Sequence, residues 1–158
     1  MFRTKSTGIN YYKDSFMKLS VNKEQIIEGL QKAAAIIPAK AGAAYLRSIW
    51  LKAEKGSLSI MATDANIEFT GRYPAEVKQP GLIGVQGRAF VDLVRQLPAG
   101  VLQLTLDEST GNLLLEQGRR TYKLPVSGAE WFQNFSEFPA ESPVTWSGDF
   151  LQDVLDRV

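Results

Sequence analysis

The sequence predicts an α+β fold in which a βαβββ unit occurs twice, with two helices packed side by side on one face of antiparallel sheets. Three observations carry this reading. Two apolar stripes recur at helical period, one formed by Ile26, Ile27, Leu30, Ala33, Ala34 and Ile37, the other by Phe90, Leu93, Val94 and Leu97. Each stripe follows one short β-rich run and precedes three more, so Lys18–Tyr73 and Leu82–Val126 share the order strand, helix, strand, strand, strand. Strands of this kind bury one face only, and helices layered on that face are the stable way to cover it.

The elements follow in order. Residues 1–16 are polar, mixed in charge and aperiodic, which reads as a flexible N-terminal extension with Met17 as an alternative start. Its Tyr11-Tyr12-Lys13 cluster has base-stacking chemistry, but a plain tail is the weightier reading. Lys18 to Val21 is a strand. Asn22 stands where an N-cap belongs, with Gln25 three residues on in a capping-box pattern, and the helix it opens ends at Ile37-Pro38. A loop, Ala39-Lys40-Ala41-Gly42, carries one cation. Strands are expected over Tyr45–Ala53, Ser57–Ala62 and Ile67–Tyr73, the last alternating with Ile67, Phe69 and Tyr73 on one face.

Pro74 to Gly81 is a connection with a short extension near Val77. The run Leu82-Ile83-Gly84-Val85-Gln86 feeds directly into the second helix, Gly87–Leu97, which Pro98-Ala99-Gly100 stops. Strands follow over Val101–Asp107, Leu113–Gln117 and Thr121–Val126. The aromatic stretch with Trp131, Phe132, Phe135 and Phe138 reads as plugs sealing the end of the domain. Residues 139–143 then form a linker. Beyond it, Val144 to Ser147 is a strand ending in an N-cap, and Phe150, Leu151, Val154, Leu155 and Val158 continue as a helical stripe. Laid against the chain from Leu19, Ser147 takes the place of Asn22, Leu151 of Ile26, Leu155 of Leu30 and Arg157 of Lys32. The predicted organisation is a domain over 17–138 and, over 144–158, the first strand and helix of a second domain of the same kind, cut short.

Composition narrows the chemistry. With no His and no Cys among 158 residues, imidazole acid–base chemistry, thiol nucleophiles, Ser-His-Asp triads and Cys/His zinc sites are excluded. A net charge of +1 gives no global argument for a nucleic-acid partner, so any such argument is local. No apolar run approaches the roughly 20 residues of a membrane span, and Met1-Phe2-Arg3-Thr4-Lys5 lacks a signal peptide's apolar segment, so the expected location is cytoplasmic.

Asp64 and Glu68 would be a candidate carboxylate pair, but Thr63-Asp64-Ala65-Asn66 has the chemistry of a turn in which Asp and Asn bond their own backbone. Asp107-Glu108 reads as a solvated turn. Gly81, Gly84 and Gly87 lack the spacing of a phosphate loop. No catalytic residue, metal site or cofactor is expected. The remaining signal is cationic. Arg88 and Arg95 share the outer face of the second helix, Lys32 lies on the outer face of the first, and Lys40 follows it. On one surface these four would meet phosphates without regard to sequence. The competing reading leaves each solvated, with Asp92 pairing Arg88 and Arg95 at i+4 and i−3. On charge alone that second reading weighs more.

Several segments resemble the bacterial DNA polymerase III beta subunit, the sliding clamp. They are Met17-Lys18-Leu19-Ser20-Val21 with the helix after it, Ser57 to Asp64 with its closing Ala62-Thr63-Asp64, and Gly118 to Leu124 with Ala129-Glu130-Trp131-Phe132. The most specific is Gly84 to Pro98, similar to the family's second helix. The resemblance covers Met17 to about Phe138 well and implies a DNA-clamp fold. It further implies a non-enzymatic processivity factor whose helices line the basic hole of a ring around duplex DNA and tether the replicative polymerase. It assigns DNA contact to Lys40 and Arg88, and more weakly to Arg95 and Lys32. In the family two chains close head to tail, which gives Leu93, Leu97, Arg119, Tyr122 and Leu124 a place at the dimer interface. The implied partners are double-stranded DNA, the other polymerase III subunits and the clamp loader.

Two departures stand out. Ala43-Ala44-Tyr45-Leu46 replaces a proline-containing run near Lys40, and Gln133 replaces a proline. The family's third domain, with its partner-binding pocket, has no counterpart in these residues, so the expectation for this chain alone is a monomer unable to close the usual ring. The rival function is a structural or protein-interaction module that never touches DNA.

Overall fold

A computed structural model describes residues 17–38, 43–135 and 147–157. The first repeat comprises β1 (Lys18–Asn22), α1 (Lys23–Ile36), β2 (Ser48–Glu54), β3 (Ser57–Thr63) and β4 (Glu68–Pro74). A short strand, β5 (Glu76–Gln79), follows. The second repeat comprises β6 (Gly81–Gln86), α2 (Gly87–Gln96), β7 (Val101–Asp107), β8 (Asn112–Gln117) and β9 (Arg120–Ser127). The fold is the expected α+β arrangement of a duplicated βαβββ unit, its antiparallel strands covered by both helices on one face.

The strands run in the order β4-β3-β2-β6-β9-β8-β7-β1-β5. Each repeat lends its first strand to the other. β1 pairs with β7, placing Val21 opposite Leu102, and β6 pairs with β2, placing Val85 opposite Ile49. Both helices therefore cross between halves. β4 and β5 stand at opposite ends of the strand order, yet only Ala75 separates them along the chain, so the order returns upon itself. β9 forms the equivalent corner unbroken: it pairs with β8 up to Pro125, then with β6 through Val126 and Ser127. Pro74 and Pro125 sit at these corners, where a strand changes neighbours and a missing backbone donor costs little.

The main core joins Ile26, Leu30, Ala33 and Ile37 from the first helix and its C-terminal cap to Phe90, Val91, Val94 and Leu97 from the second. Sheet residues such as Leu19, Ile49, Leu51, Ile60, Leu102 and Leu115 complete it. At about 1.5–3 kcal/mol per fully buried side chain, these positions dominate the stability. The α2 stripe is rotated from its expected setting. Val91 is buried and Leu93 only half-buried, because α1 lies against the Val91 flank.

A smaller core occupies the other sheet face. Trp50, Met61 and Leu82 are covered there by Tyr45, Ala129, Phe132 and Phe135. Phe132 meets Trp50 edge to face at 5.2 Å between ring centroids. Gly84 faces Trp50 across the β2–β6 pair, and a Cβ there would lie 3.0 Å from the indole, so a larger residue would have to displace the ring by a few tenths of an ångström. Of the expected plugs, Phe132 and Phe135 seal this face, while Trp131 is 66% exposed and Phe138 lies outside the described residues.

Three local expectations change. Ala44–Arg47 is a 3-10 turn rather than the start of a strand. Ile67 lies outside β4 and is exposed. Asn22 makes no side-chain cap: it belongs to β1, opposite Val101, and the Lys23 amide bonds the Gly100 carbonyl at 3.0 Å instead. Farther on, α3 (Gly148–Asp156) is capped by Ser147, whose Oγ accepts from the Phe150 amide at 3.3 Å. Its Phe150, Leu151, Val154 and Leu155 are all exposed. The linker and the strand expected at Val144 lie outside the described residues.

Candidate nucleic-acid interface

The site is assembled by the packing of α1 against α2, which run antiparallel. At one end, Lys23 Nζ donates to the Leu97 carbonyl and, at 3.1 Å, to the Arg95 carbonyl, satisfying acceptors that the end of α2 leaves without intrahelical partners. The Gly100 amide in turn donates to Glu24 Oε2 at 3.4 Å. At the other end, Gly87 opens α2 directly against Ile37 and Ile49, and a Cβ there would come within 2.1 Å of Ile37 Cδ1.

Between these fixed ends runs an open groove of about 290 Å³, walled by Gln31, Ala34 and Ala35 on α1 and by Arg88, Val91, Asp92 and Arg95 on α2. The α1 wall is low and uncharged, so the charge of the groove comes from α2 alone. Arg88, Asp92 and Arg95 are all exposed, and no ion pair links Asp92 to either arginine. Both guanidiniums keep their forked donors for an oxyanion.

The structure thus brings Arg88 and Arg95 together and leaves Lys32 aside. Lys32 points outward from α1, off the groove wall, with Nζ 2.7 Å from Glu28 Oε1. Each partner favours the other's charged form, so the Glu28 carboxyl is held below its usual pKa and the Lys32 ammonium above its own. Lys40 lies outside the described residues. Of the residues assigned to a subunit contact, Leu97 and Leu124 are buried in the domain's own core, and Leu93 and Tyr122 are half-buried against it. Arg119 is exposed in the β8–β9 turn, whose base is tied to the α2–β7 loop by Gln117 Nε2 donating to the Pro98 carbonyl at 2.9 Å.

Asp64 has a turn's geometry. Its Oδ1 accepts from the amides of Asn66 at 2.8 Å and Ile67 at 2.7 Å, which lowers its pKa. Asp107 is likewise lowered, by the Ser109 and Thr110 hydroxyls it accepts from. Among the described residues no three His, Cys, Asp or Glu converge as metal ligands would. Sequence reasoning missed Lys23, although a signal was present. A lysine in the first turn of a helix opposes that helix's own dipole, and such a charge is well placed for the C-terminus of a neighbour.

The duplicated βαβββ unit, with both helices on one face of antiparallel strands, defines the fold class as a two-repeat α+β domain. Residues 17–136 match the family described as DNA polymerase III beta subunit, N-terminal domain, and the chain belongs to that family, whose members are accessory factors rather than enzymes. It is 31% identical over 143 residues to the beta sliding clamp of Streptomyces coelicolor, covering 90% of this chain and 37% of that protein. It is 27% identical over 142 residues to the beta sliding clamp of Vibrio cholerae, covering 89% and 38%. The crystal structure of the DNA polymerase III subunit beta from Pseudomonas aeruginosa superimposes with a TM-score of 0.80 at 26% identity, over 89% of this chain and 38% of that one. The sliding clamp from Caulobacter crescentus gives 0.73 at 28% identity, over 77% and 33%. The chain thus spans about two fifths of the length of these relatives.

Proposed function

We propose that this chain supplies the DNA-facing N-terminal domain of a sliding clamp, a processivity factor that holds a replicative polymerase on duplex DNA in the cytoplasm. The observation that carries the proposal is the α1–α2 groove with two exposed arginines, neither paired to Asp92. Arg88 and Arg95 lie seven residues apart on one helix, about 10 Å along its axis, so each reaches a different phosphate. Lys40, which follows α1 in the sequence, is a further DNA-contact residue in this reading, and Lys32 contributes little while Glu28 holds it. Contact of this kind is weak and independent of sequence, and encirclement by a ring supplies the retention. At the head-to-tail contact with a second chain, Leu93, Tyr122 and Arg119 carry the accessible surface, while Leu97 and Leu124 support them from inside. The other polymerase III subunits and the clamp loader are the partners of the assembled ring.

The test is binding of fluorescent duplex DNA across a salt series. Arg88→Glu with Arg95→Glu should abolish binding, and log K of the wild-type chain should fall with log salt by roughly 0.9 for each phosphate neutralised. Binding that survives the double reversal unchanged would refute the assignment.

A further inference from the structure

The register of the two repeats makes specific positions equivalent. Val21 faces Leu102 as Val85 faces Ile49, which aligns Asn22 with Gln86 and, six residues into each helix, Glu28 with Asp92. Both repeats therefore carry a carboxylate at the same place on the outer helix surface. Their local settings differ, but each opposes a cation. Glu28 takes Lys32 into an ion pair at 2.7 Å. Asp92 shares the groove with Arg88 and Arg95 and pairs with neither.

The charge balance of the helix pair follows. Lys23 and Lys32 on α1 are matched by Glu24 and Glu28, and α2 carries two arginines against Asp92. Lys23 is moreover turned onto the carbonyls at the end of α2. A surface built to grip phosphate would leave out the carboxylates. A surface built to be passed over by phosphates without holding them needs its attraction cut back within the stretch that contacts them.

We infer that Asp92 and Glu28 are affinity-limiting residues: paired carboxylates that weaken the helix surface's hold on the DNA backbone, so that the duplex moves past it rather than docking on it. The inference rests on the DNA-facing reading above and adds to it which residues set the strength of the contact. A phosphate held by Arg88 or by Arg95 comes within several ångströms of the Asp92 carboxylate, which neighbours both on the same helix face. At about 6 Å in water the repulsion of one unit charge weakens binding about three-fold. That effect is strong at low ionic strength and fades as the Debye length contracts to about 3 Å at 1 M salt.

The experiment measures fluorescence anisotropy of a labelled duplex with the full chain at low ionic strength and along a salt series. Asp92→Asn should tighten binding about three-fold at low salt, with the gain vanishing at high salt. Asp92→Glu, which keeps the charge, should leave it unchanged. Glu28→Gln should release Lys32 and steepen the dependence of log K on log salt by about 0.9, the signature of one further phosphate contact. Glu108→Gln makes the same change in net charge in the β7–β8 turn, off the groove wall, and should have no effect. Equal tightening by Asp92→Asn and Glu108→Gln, or none by Asp92→Asn, overturns the inference while leaving the DNA reading intact. Absence of binding by the wild-type chain and every variant at the lowest salt overturns both.

Discussion

Gly29 offers a test in which two physical effects predict opposite signs. It lies within α1, where replacing glycine by alanine ordinarily gains about 1 kcal/mol of helix stability. A Cβ at this position, however, would sit 1.9 Å from Tyr73 Oη and 2.3 Å from Cζ. The same ring covers Gly71, where a Cβ would meet Oη at 2.5 Å, so Tyr73 is held between two glycines and has little room to retreat. Overpacking of this kind costs about 1–3 kcal/mol, which outweighs the gain in propensity and leaves Gly29→Ala less stable by about 1 kcal/mol. For a chain of this size that lowers Tm by about 2–4 °C. With Tyr73→Ala already in place the obstruction is gone, and Gly29→Ala should then stabilise by about 1 kcal/mol. Urea unfolding followed by far-ultraviolet circular dichroism on all four members of the cycle measures the coupling. The same change in both backgrounds would show that the ring does not set the cost.

Three further outcomes follow from contacts already described. Lys23→Met leaves the Arg95 and Leu97 carbonyls without their charged donor. It should lose about 1–2 kcal/mol and speed amide exchange in the last turn of α2, while Lys23→Arg keeps part of the contact. Phe132→Ala removes the edge contact on Trp50. It should cost about 1–3 kcal/mol for a half-buried ring and shift Trp50 emission to the red, and an unchanged spectrum would mean that something else shields the indole. The Asp64 carboxyl has a folded pKa below its usual 3.8. Its stabilisation is therefore complete above about pH 4 and lost as pH falls through the lower folded value. Asp64→Asn should be less stable than wild type near neutrality and converge with it under acid, as read from urea midpoints at a series of pH values.

Much of the element order was legible because the sequence changes period at each boundary. Leu102, Leu104 and Leu106 alternate where Phe90, Val94 and Leu97 recur by helical turns, and Pro98-Ala99-Gly100 marks the change. The corners were not legible, since pairing β9 with both β8 and β6 depends on contacts far apart in the chain. Val91 falls outside the expected stripe for a related reason. Periodicity gives the centre of the apolar stripe, at Phe90 and Val94, but the neighbour that covers its flank is supplied by α1. The site divided in the same way. Arg88 and Arg95 sharing a face is a property of one helix, readable from their spacing. Ala34 and Ala35 as the opposing wall, and Lys23 fastened to the far end of α2, are properties of the helix crossing.

The exchange of first strands between repeats has a consequence for how the chain reaches this structure. Neither βαβββ unit is complete by itself. β1 waits for β7, which is made midway through the second repeat, and β6 must return to β2 in the first. Completing either unit depends on pairings distant in the chain, which makes folding slower than its short hairpins alone imply. It also means that the domain has the architecture of an intramolecular strand-swapped dimer. A chain carrying one repeat alone would present the open edge that a second copy of itself is shaped to fill, and twofold self-association is the route by which such a half could recover the fold.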